Sequence, residues 1–321
     1  MLIKKPSDIP PSEITDYETF RRRRELMRRG AVMLGAGLIG STTGTLPAWG
    51  ASIPPDDGTF GDLPDSRFNT DEDLTSRKAI TGYNNYYEFG TSKSDPARYA
   101  DQMPTSPWHV KVHGECDKPA TVSVDDLVGN VALEDRIYRH RCVEAWSMVI
   151  PWVGVPLGAV LKRFKPNSRA KYVAFTTLYD PQHMPGQHST VLDWPYHEGL
   201  RIDEAMHPLT LLGVGLYGKA LPNQNGAPVR VVVPWKYGYK SPKSIVEIRF
   251  TEKQPVTAWH KAFPDRYGFY SNVNPDVDTV PWSQSYERRI GDLFKRKTEM
   301  FNGYGDQVAH LYSGMDLSKH Y

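Results

Sequence analysis

The sequence predicts an α+β fold that is rich in short β-strands. Three observations support this class: apolar segments of strand length recur, glycine and proline separate them, and one segment alone has the periodicity of an amphipathic helix. The chain has 26 glycines and 26 prolines in 321 residues. We predict strands over residues 108–114, 137–143, 172–178, 209–216, 229–233 and 244–250, and a helix over residues 156–164.

The first 50 residues have the features of an export signal. They carry eight Lys and Arg against five Asp and Glu, and Arg23-Arg24 begins a segment close to the twin-arginine pattern. The apolar run over residues 30–40 is too short to span a bilayer, and Ala48-Trp49-Gly50 resembles a small-x-small cleavage site. We predict a twin-arginine signal peptide over residues 1–50 and a mature chain over 51–321 in the periplasm; an amphipathic or anchoring helix is the alternative.

Local sequence features place the first predicted strand and the helix. Residues 108–114 alternate between polar and apolar side chains, which is typical of a half-buried strand. Pro156 is suited to the first turn of a helix, and Leu157 and Leu161 recur on one face of it. Residues 222–228 form a turn-rich loop between two predicted strands.

Composition excludes several classes of protein. The net charge of +2 leaves the chain without the basic footprint of a nucleic-acid-binding protein. Two cysteines are too few for a disulfide scaffold or a four-cysteine iron–sulfur cluster, and no C-x-x-C-H motif is present. G-x-G-x-x-G occurs at 35–40 and 213–218, but neither copy joins a strand to a helix as a dinucleotide-binding loop does.

The segment around Cys142 is the strongest candidate for chemistry. Arg139, His140 and Arg141 precede the thiol, and nearby positive charge is expected to lower the pKa of Cys142. A thiolate there is a nucleophile or a soft metal ligand. Two structural alternatives remain open: a half-buried strand cysteine, or a disulfide with Cys116.

Two other groups of polar residues deserve a prediction. Residues 82–90 form an aromatic loop between glycines, in which Asn84 and Glu88 could form a polar cradle; surface packing is the alternative. Four histidines do not have the short spacing of a zinc site, and we predict that they are solvated loop residues. They are His183, His188, His197 and His207.

The cysteine segment carries a family resemblance. Residues 141–148, followed by Pro151-Trp152, resemble the cysteine segment of the sulfite-oxidase-fold molybdoenzymes. Within that group the chain is most similar to the catalytic subunits of bacterial periplasmic protein-methionine-sulfoxide reductases. Further similar stretches are residues 83–90, 171–175, 184–187, 203–209, 224–230, 233–238 and 302–304. The resemblance implies a sheet-rich, sulfite-oxidase-type molybdopterin-binding fold over residues 51–321.

The resemblance also implies a cofactor, one molybdopterin carrying molybdenum. It makes Cys142 both the metal ligand and the catalytic residue, which agrees with the softness of a thiolate. Arginines around Cys142 would offset the negative charge of the cofactor. The implied cofactor contacts are Asn84, Tyr87, Glu88, Thr177, Asn225, Arg230, Ser241, Pro242 and Lys243. Residues 241–243 depart from the usual family types, so the resemblance implies only backbone contacts and Lys243 there.

The implied reaction is the removal of oxygen from methionine sulfoxide, in proteins or free, which repairs oxidised proteins. The implied partners are a haem-b membrane subunit that supplies electrons from quinol, oxidised periplasmic proteins as substrates, and the twin-arginine export machinery; no nucleic acid is expected. Two alternatives are a sulfite oxidase-type oxygen-transfer enzyme and a metal-free exported binding protein with a Cys116–Cys142 disulfide.

Overall fold

The computed structural model describes residues 58–321, so the predicted signal peptide over 1–50 lies outside the described residues. Within residues 58–321 there are twelve strands and seven α-helices. The strands, β1 to β12, are His109–Gly114, Ala120–Ser123, Glu134–Arg141, Trp146–Pro156, Tyr172–Thr177, His197–Arg201, Leu211–Leu216, Lys219–Ala220, Arg230–Val232, Ile245–Thr251, Tyr286–Arg289 and Arg296–Lys297. The helices, α1 to α7, are Arg77–Gly82, Asp95–Tyr99, Val124–Val128, Leu157–Lys162, Ile202–Met206, Ala258–Ala262 and Gly305–Val308.

These strands form two mixed sheets. The five-stranded sheet has the order β2-β1-β10-β5-β6, in which β1 and β10 are parallel and the other pairs are antiparallel. The seven-stranded sheet has the order β12-β11-β4-β7-β8, with β3 paired to β4 and β9 paired to β7. No helix exceeds six residues in the described part of the chain, and the predicted α+β class is confirmed.

Strand β4 is the centre of the seven-stranded sheet. Its residues are buried from Trp146 to Val155, and it pairs with β3 on one side and β7 on the other. At the β4–β7 irregularity the backbones approach closely, because a Cβ at Gly154 would lie 2.3 Å from the carbonyl oxygen of Leu212. A strand buried on both faces lacks the alternation of polar and apolar residues, and for this reason the sequence did not predict β4.

The other predicted elements lie near their expected positions. The helix predicted over residues 156–164 is α4, and five of the six predicted strands match β1, β5, β7, β9 and β10 within two residues at each end. The strand predicted over 137–143 is β3, which begins at Glu134 and ends at Arg141 because the chain turns at Cys142. Side chains from both sheets share one apolar core, which includes Phe175 and Trp235.

Among the described residues, no helix combines the length and the apolar character that crossing a membrane requires.

Candidate active site

Cys142 lies in the turn that joins β3 to β4. The Cys142 N–H donates to the Trp146 carbonyl at 2.9 Å, and the Ala145 N–H donates to the Cys142 carbonyl at 3.1 Å. Ala145 has a φ of 62°, so the loop combines a tight turn with a left-handed residue, as three-residue hairpin loops commonly do. The side chain of Cys142 is 7% exposed and faces a cleft. The longest hairpin of the larger sheet therefore holds the thiol in a fixed position.

The cleft encloses about 980 Å³ of empty space, including solvent at its mouth. It brings together nine of the ten predicted site residues. These are Asn84, Tyr87, Glu88, Cys142, Asn225, Arg230, Ser241, Pro242 and Lys243. The tenth, Thr177, lies at the end of β5, and its hydroxyl donates to the Glu88 carboxylate at 3.4 Å. Thr177 thus contacts the cleft wall through Glu88.

The aromatic loop between α1 and α2 forms one wall of the cleft. Tyr86 and Phe89 anchor the loop, since both are buried and their ring centroids are 4.8 Å apart in an edge-to-face pair. The Gly186 N–H donates to the Glu88 carbonyl at 2.8 Å, and a Cβ at Gly186 would lie only 2.1 Å from the Tyr87 carbonyl oxygen. This close approach requires glycine at position 186, and the hydrogen bond to Glu88 holds the aromatic loop in place.

Two asparagines present unused hydrogen-bond acceptors to the cleft. The side-chain amides of Asn84 and Asn225 donate to the same carbonyl, that of Ile80 at the core of α1, at 2.9 and 3.0 Å. Their Oδ1 atoms are buried and accept no hydrogen bond. The indole N–H of Trp152, also on the cleft wall, has no acceptor. Buried polar atoms are nearly always satisfied, so this set indicates a ligand with N–H donors and acceptors of its own.

Two cations in the cleft lack a carboxylate partner. Arg230 is 3% exposed and donates to the carbonyls of Asn225 at 2.8 Å and Ser241 at 3.3 Å. Lys243 is partly accessible from the cleft, and its Nζ donates to the Asn85 carbonyl at 2.7 Å. Neither forms an ion pair with a carboxylate of residues 58–321.

Burial changes the acidity of both cations. It lowers the pKa of Arg230 to about 10, and burial followed by the charge of Arg230 lowers the pKa of Lys243 to about 7. A buried charge without a counterion is unfavourable, so the cleft is suited to an anionic group.

The prediction of a lowered pKa for Cys142 is wrong. Burial, then the charge of Glu144, raises the pKa of Cys142 to about 12, and Arg141 opposes this only in part. Arg141 instead pairs with Glu287 of β11 at 2.8 Å, and Arg139 pairs with Glu72 and Glu299. Each arginine therefore has its own carboxylate partner.

His140, the third basic residue before the thiol, is uncharged. Burial, then the charges of Arg230 and Lys243, lowers the pKa of His140 to about 3. The prediction that the arginines beside Cys142 offset the charge of a cofactor is also wrong, because Arg139 and Arg141 are already paired. Arg230 and Lys243 are the unpaired cations of the cleft.

A polar cluster that the sequence analysis did not identify surrounds the thiol. The Asn85 amide donates to the Cys142 Sγ at 3.3 Å and to the Glu144 carboxylate at 2.8 Å. Glu144 also accepts from the Trp146 indole at 3.0 Å and from Lys93 Nζ at 2.9–3.0 Å. The spacing of Glu144, two residues after the cysteine, was the available signal, whereas Lys93 reaches the site only through the fold.

The site supplies one soft ligand and no complete metal cage. No cluster of three or more His, Cys, Asp or Glu side chains within residues 58–321 could hold a metal ion. A metal bound at Cys142 would therefore take its other ligands from a cofactor or from solvent, and the thiol would lose its proton on binding. The dithiolene of a molybdopterin meets this requirement, and its anionic phosphate would find Arg230 and Lys243.

Two further sequence predictions concern the disulfide and the four histidines. Cys116 and Cys142 are both free thiols, so the Cys116–Cys142 disulfide of the metal-free alternative is wrong. Of the four histidines, His188 and His197 are exposed, His207 is half-buried, and His183 pairs with Asp180 at 2.7 Å. His197 begins β6, so the prediction of a loop residue is wrong at that position. None of them lines the cleft.

Comparison with known proteins identifies relatives over the whole chain. The family model for the oxidoreductase molybdopterin binding domain matches residues 98–259. A protein-methionine-sulfoxide reductase catalytic subunit MsrP from Xanthomonas axonopodis pv. citri is 57% identical over 325 residues, covering 99% of both chains. Its namesake from Burkholderia mallei is 53% identical over 335 residues and covers 100% of both chains.

A solved structure, the sulfane dehydrogenase SoxCD from Paracoccus pantotrophus, is similar over 70% of this chain and 58% of that chain. The TM-score is 0.42 and the sequence identity is 15%.

Proposed function

Because this chain belongs to the sulfite-oxidase-type molybdopterin-binding oxidoreductases, and within them to the MsrP catalytic subunits, we propose that it reduces methionine sulfoxide in proteins. The reaction consumes two electrons and two protons and yields methionine and water. Free methionine sulfoxide is a smaller substrate for the same site. The reaction restores an apolar side chain from a polar lesion, so its biological effect is protein repair.

The observation that carries this proposal is the placement of Cys142. A single soft ligand stands in a cleft whose two unpaired cations and unpartnered asparagine oxygens match an anionic, N–H-bearing cofactor. When bound, a molybdenum–molybdopterin cofactor supplies two-electron oxygen-atom transfer chemistry. We assign Cys142 as the ligand to molybdenum.

The other predicted residues divide between the two ends of the cofactor. Asn84 and Asn225 would accept hydrogen bonds from its pterin nitrogens through Oδ1. Arg230 and Lys243 would pair with its phosphate, beside the backbone of Ser241 and Pro242. The remaining contacts are Tyr87 and Glu88 on the aromatic loop, with Thr177 behind Glu88.

Glu144 is held ionised beside the thiol. Burial opposes its ionisation, but hydrogen bonds from Asn85, Trp146 and Lys93 outweigh burial and lower the pKa of Glu144. The carboxylate oxygen Oε2 lies 3.8 Å from the Cys142 sulfur. The ionised carboxylate would therefore hold Asn85, Trp146 and Lys93 in place around the thiol, and its lowered pKa makes it a poor carrier of protons near neutral pH.

We further propose a periplasmic location and an external electron donor. The relatives are named catalytic subunits, which supports a second subunit, and we propose that it is a haem-b membrane protein that draws electrons from quinol. The twin-arginine pattern at Arg23-Arg24 supports export of the folded, loaded protein. Replacing both with lysine (Arg23→Lys, Arg24→Lys) should leave the enzyme in the cytoplasm; wild-type periplasmic levels in that variant would contradict this route.

Turnover by the purified enzyme tests the proposed reaction. With a reduced dye as electron donor, dye oxidation should depend on methionine sulfoxide, and one methionine should form for each two electrons consumed. The rival is a sulfite oxidase-type activity in the oxidative direction. Sulfite-dependent reduction of an oxidised dye, with no turnover of methionine sulfoxide, would replace the proposed function by that rival.

A further inference from the structure

A row of aromatic side chains leads from the cleft to the protein surface. We define the aromatic shelf as Trp259 on α6 with Phe263 and Tyr267, which follow α6 in the chain. Trp259 stacks on Phe263 with ring centroids 6.1 Å apart, and it contacts Tyr267 at 5.1 Å. Backbone hydrogen bonds from Phe263 to Trp259, and from Tyr267 to Phe263, close the turn that holds the three rings together.

The aromatic shelf is continuous with the reaction site. Trp259 and Tyr267 line the same cleft as Cys142, and Trp259 packs edge-to-face on Tyr87 with centroids 5.2 Å apart. Phe263 lies outside the cleft and is 41% exposed. From Tyr87 to Phe263 the shelf takes two ring-to-ring steps of 5.2 and 6.1 Å. An extended polypeptide rises about 3.3 Å per residue. When one residue of a bound segment lies in the cleft, the roughly two or three residues next to it would therefore lie along this row of rings.

The composition of the shelf surface indicates what it binds. Trp259 is half-buried and Phe263 is exposed, and both rings are rigid apolar platforms with few rotatable bonds. The nearby cations already have partners within the protein: Arg266 lies over the Phe263 ring at 5.7 Å, and Lys261 forms an ion pair with Asp193 at 2.6 Å. The shelf is therefore suited to apolar side chains rather than to a charged motif.

We propose that the aromatic shelf binds the residues that flank methionine sulfoxide in an oxidised polypeptide and favours apolar flanking side chains. This inference rests on the proposed function and specifies its substrate class. Free methionine sulfoxide would occupy only the part of the cleft next to Cys142 and would not reach Phe263. A methionine sulfoxide within a protein segment also places its neighbours on the shelf, which makes the segment the better substrate. Methionines normally lie among apolar residues, and such segments become accessible when oxidation disrupts a core.

Replacing the exposed ring tests this inference without touching the cleft. The holoenzyme variant Phe263→Ala is compared with the wild type on free methionine sulfoxide and on two short peptides, with methionine sulfoxide between leucines or between glycines. For the leucine peptide, kcat/KM should fall about three- to tenfold, as expected for the loss of one aromatic–apolar contact, and mainly through KM. For free methionine sulfoxide and the glycine peptide, kcat/KM should stay within about twofold.

A matched control is available at Phe294, in the loop between β11 and β12. It is 82% exposed and does not line the cleft, so Phe294→Ala should leave kcat/KM unchanged on all three substrates. Equal losses on the free amino acid and the leucine peptide in Phe263→Ala would overturn the inference. An unchanged kcat/KM on the leucine peptide would overturn it too.

A binding measurement separates this inference from the proposed function. Without a reductant the holoenzyme cannot turn over, so the anisotropy of a fluorescently labelled leucine peptide reports affinity alone. The affinity should fall about three- to tenfold in Phe263→Ala. If the wild type binds this peptide through Phe263 but reduces neither peptide nor free methionine sulfoxide, the proposed function fails and the peptide-binding shelf stands. An equal affinity in both proteins overturns the shelf.

Discussion

Two regions of the molecule bury positive charge, and they differ in whether the protein itself supplies the partners. In the interior region, Lys236 is 1% exposed and donates to Glu204 at 2.7 Å, to the Tyr270 carbonyl at 2.7 Å and to the Asn272 side chain at 2.9 Å. In the cleft, Arg230 and Lys243 donate to carbonyl groups only. The interior cation has its counterion within the protein, whereas the cleft cations lack an anionic partner.

Other buried cations resemble Lys236 and differ from the cleft cations in the same way. Lys240 pairs with Glu198 at 2.5 Å, and Arg141 pairs with Glu287 at 2.8 Å while also donating to Thr298. These groups hold strands and loops together and leave little for a ligand to satisfy. Buried charge by itself therefore does not mark a functional site in this protein; buried charge without a partner does.

The largest expected effect is at the thiol that distinguishes the cleft from the interior. Cys142→Ser replaces a soft ligand with a hard one of similar size. Bound molybdenum and methionine sulfoxide turnover should both fall by more than about a hundredfold, because losing a residue that only hydrogen-bonds to a metal ligand already lowers metal affinity or activity about ten- to a hundredfold. The measurement is metal content and dye-linked activity. Cys116→Ser, at the other free thiol, is the control and should retain both. A Cys142→Ser enzyme with normal turnover would contradict the assignment.

The next effect lies in the interior region. Lys236→Met leaves the buried Glu204 carboxylate without its cation, so the free energy of unfolding should fall by about 3–5 kcal/mol. Urea unfolding, followed by intrinsic fluorescence, measures this loss. Adding Glu204→Gln to Lys236→Met removes the stranded charge and should recover part of the stability. A single variant as stable as the wild type would show that the interior pair is not needed for the fold.

The matched change in the cleft should affect cofactor binding more than stability. Lys243→Met breaks no ion pair. Lys243 interacts with the charge of Glu88, and Glu88 can become protonated when Lys243 is lost, because burial already raises its pKa to about 7. In protein made without molybdopterin, the free energy of unfolding should change by less than about 1 kcal/mol, whereas cofactor content of the loaded protein should fall about tenfold. A stability loss as large as that of Lys236→Met would remove the distinction between the two regions.

The smallest expected effect is a pH dependence at the edge of the interior region. His207 packs on Trp235 at 5.5 Å, its Nδ1 accepts from the Leu209 N–H, and its other nitrogen faces the Gln307 carbonyl. Burial lowers the pKa of His207 more than the Gln307 carbonyl raises it.

Because the folded pKa of His207 lies below its ordinary value of about 6.5, the unfolded state binds the proton more readily. Its contribution to stability is complete above about pH 6.5 and declines as the pH falls below that value. The urea midpoint should therefore fall slightly less between pH 7.5 and 5.5 in His207→Gln than in the wild type. His188→Gln, at an exposed histidine, should behave like the wild type; an identical response in all three proteins would contradict this role.

Much of the fold could be predicted from local patterns, because β1 alternates between polar and apolar residues and β5 is an apolar run of strand length. Strand β4 could not, since a strand buried on both faces has no periodicity to detect. The chain order of the two sheets was equally inaccessible. It depends on pairings such as β1 with β10, which join residues more than a hundred positions apart.

The candidate site shows the same division. Family resemblance located Cys142 and the residues that share its cleft, although their contacts with a cofactor stay predictions. The acidity of Cys142 could not be predicted, because burial, the largest cause of its raised pKa, comes from the fold. The neighbouring arginines in turn point to distant acids: Arg141 reaches Glu287, and Arg139 reaches Glu72 and Glu299. Adjacent basic residues in a sequence do not share an environment when successive strand residues point to opposite faces.

We propose that the unpaired cations, the unpartnered asparagine oxygens and Cys142 form one site for a molybdenum–molybdopterin cofactor. The most direct test is the molybdenum and pterin content of the purified protein, produced in cells that make molybdopterin. We expect about one molybdenum and one pterin per chain, as for a site with one thiolate ligand. A folded protein that contains neither molybdenum nor pterin would contradict it.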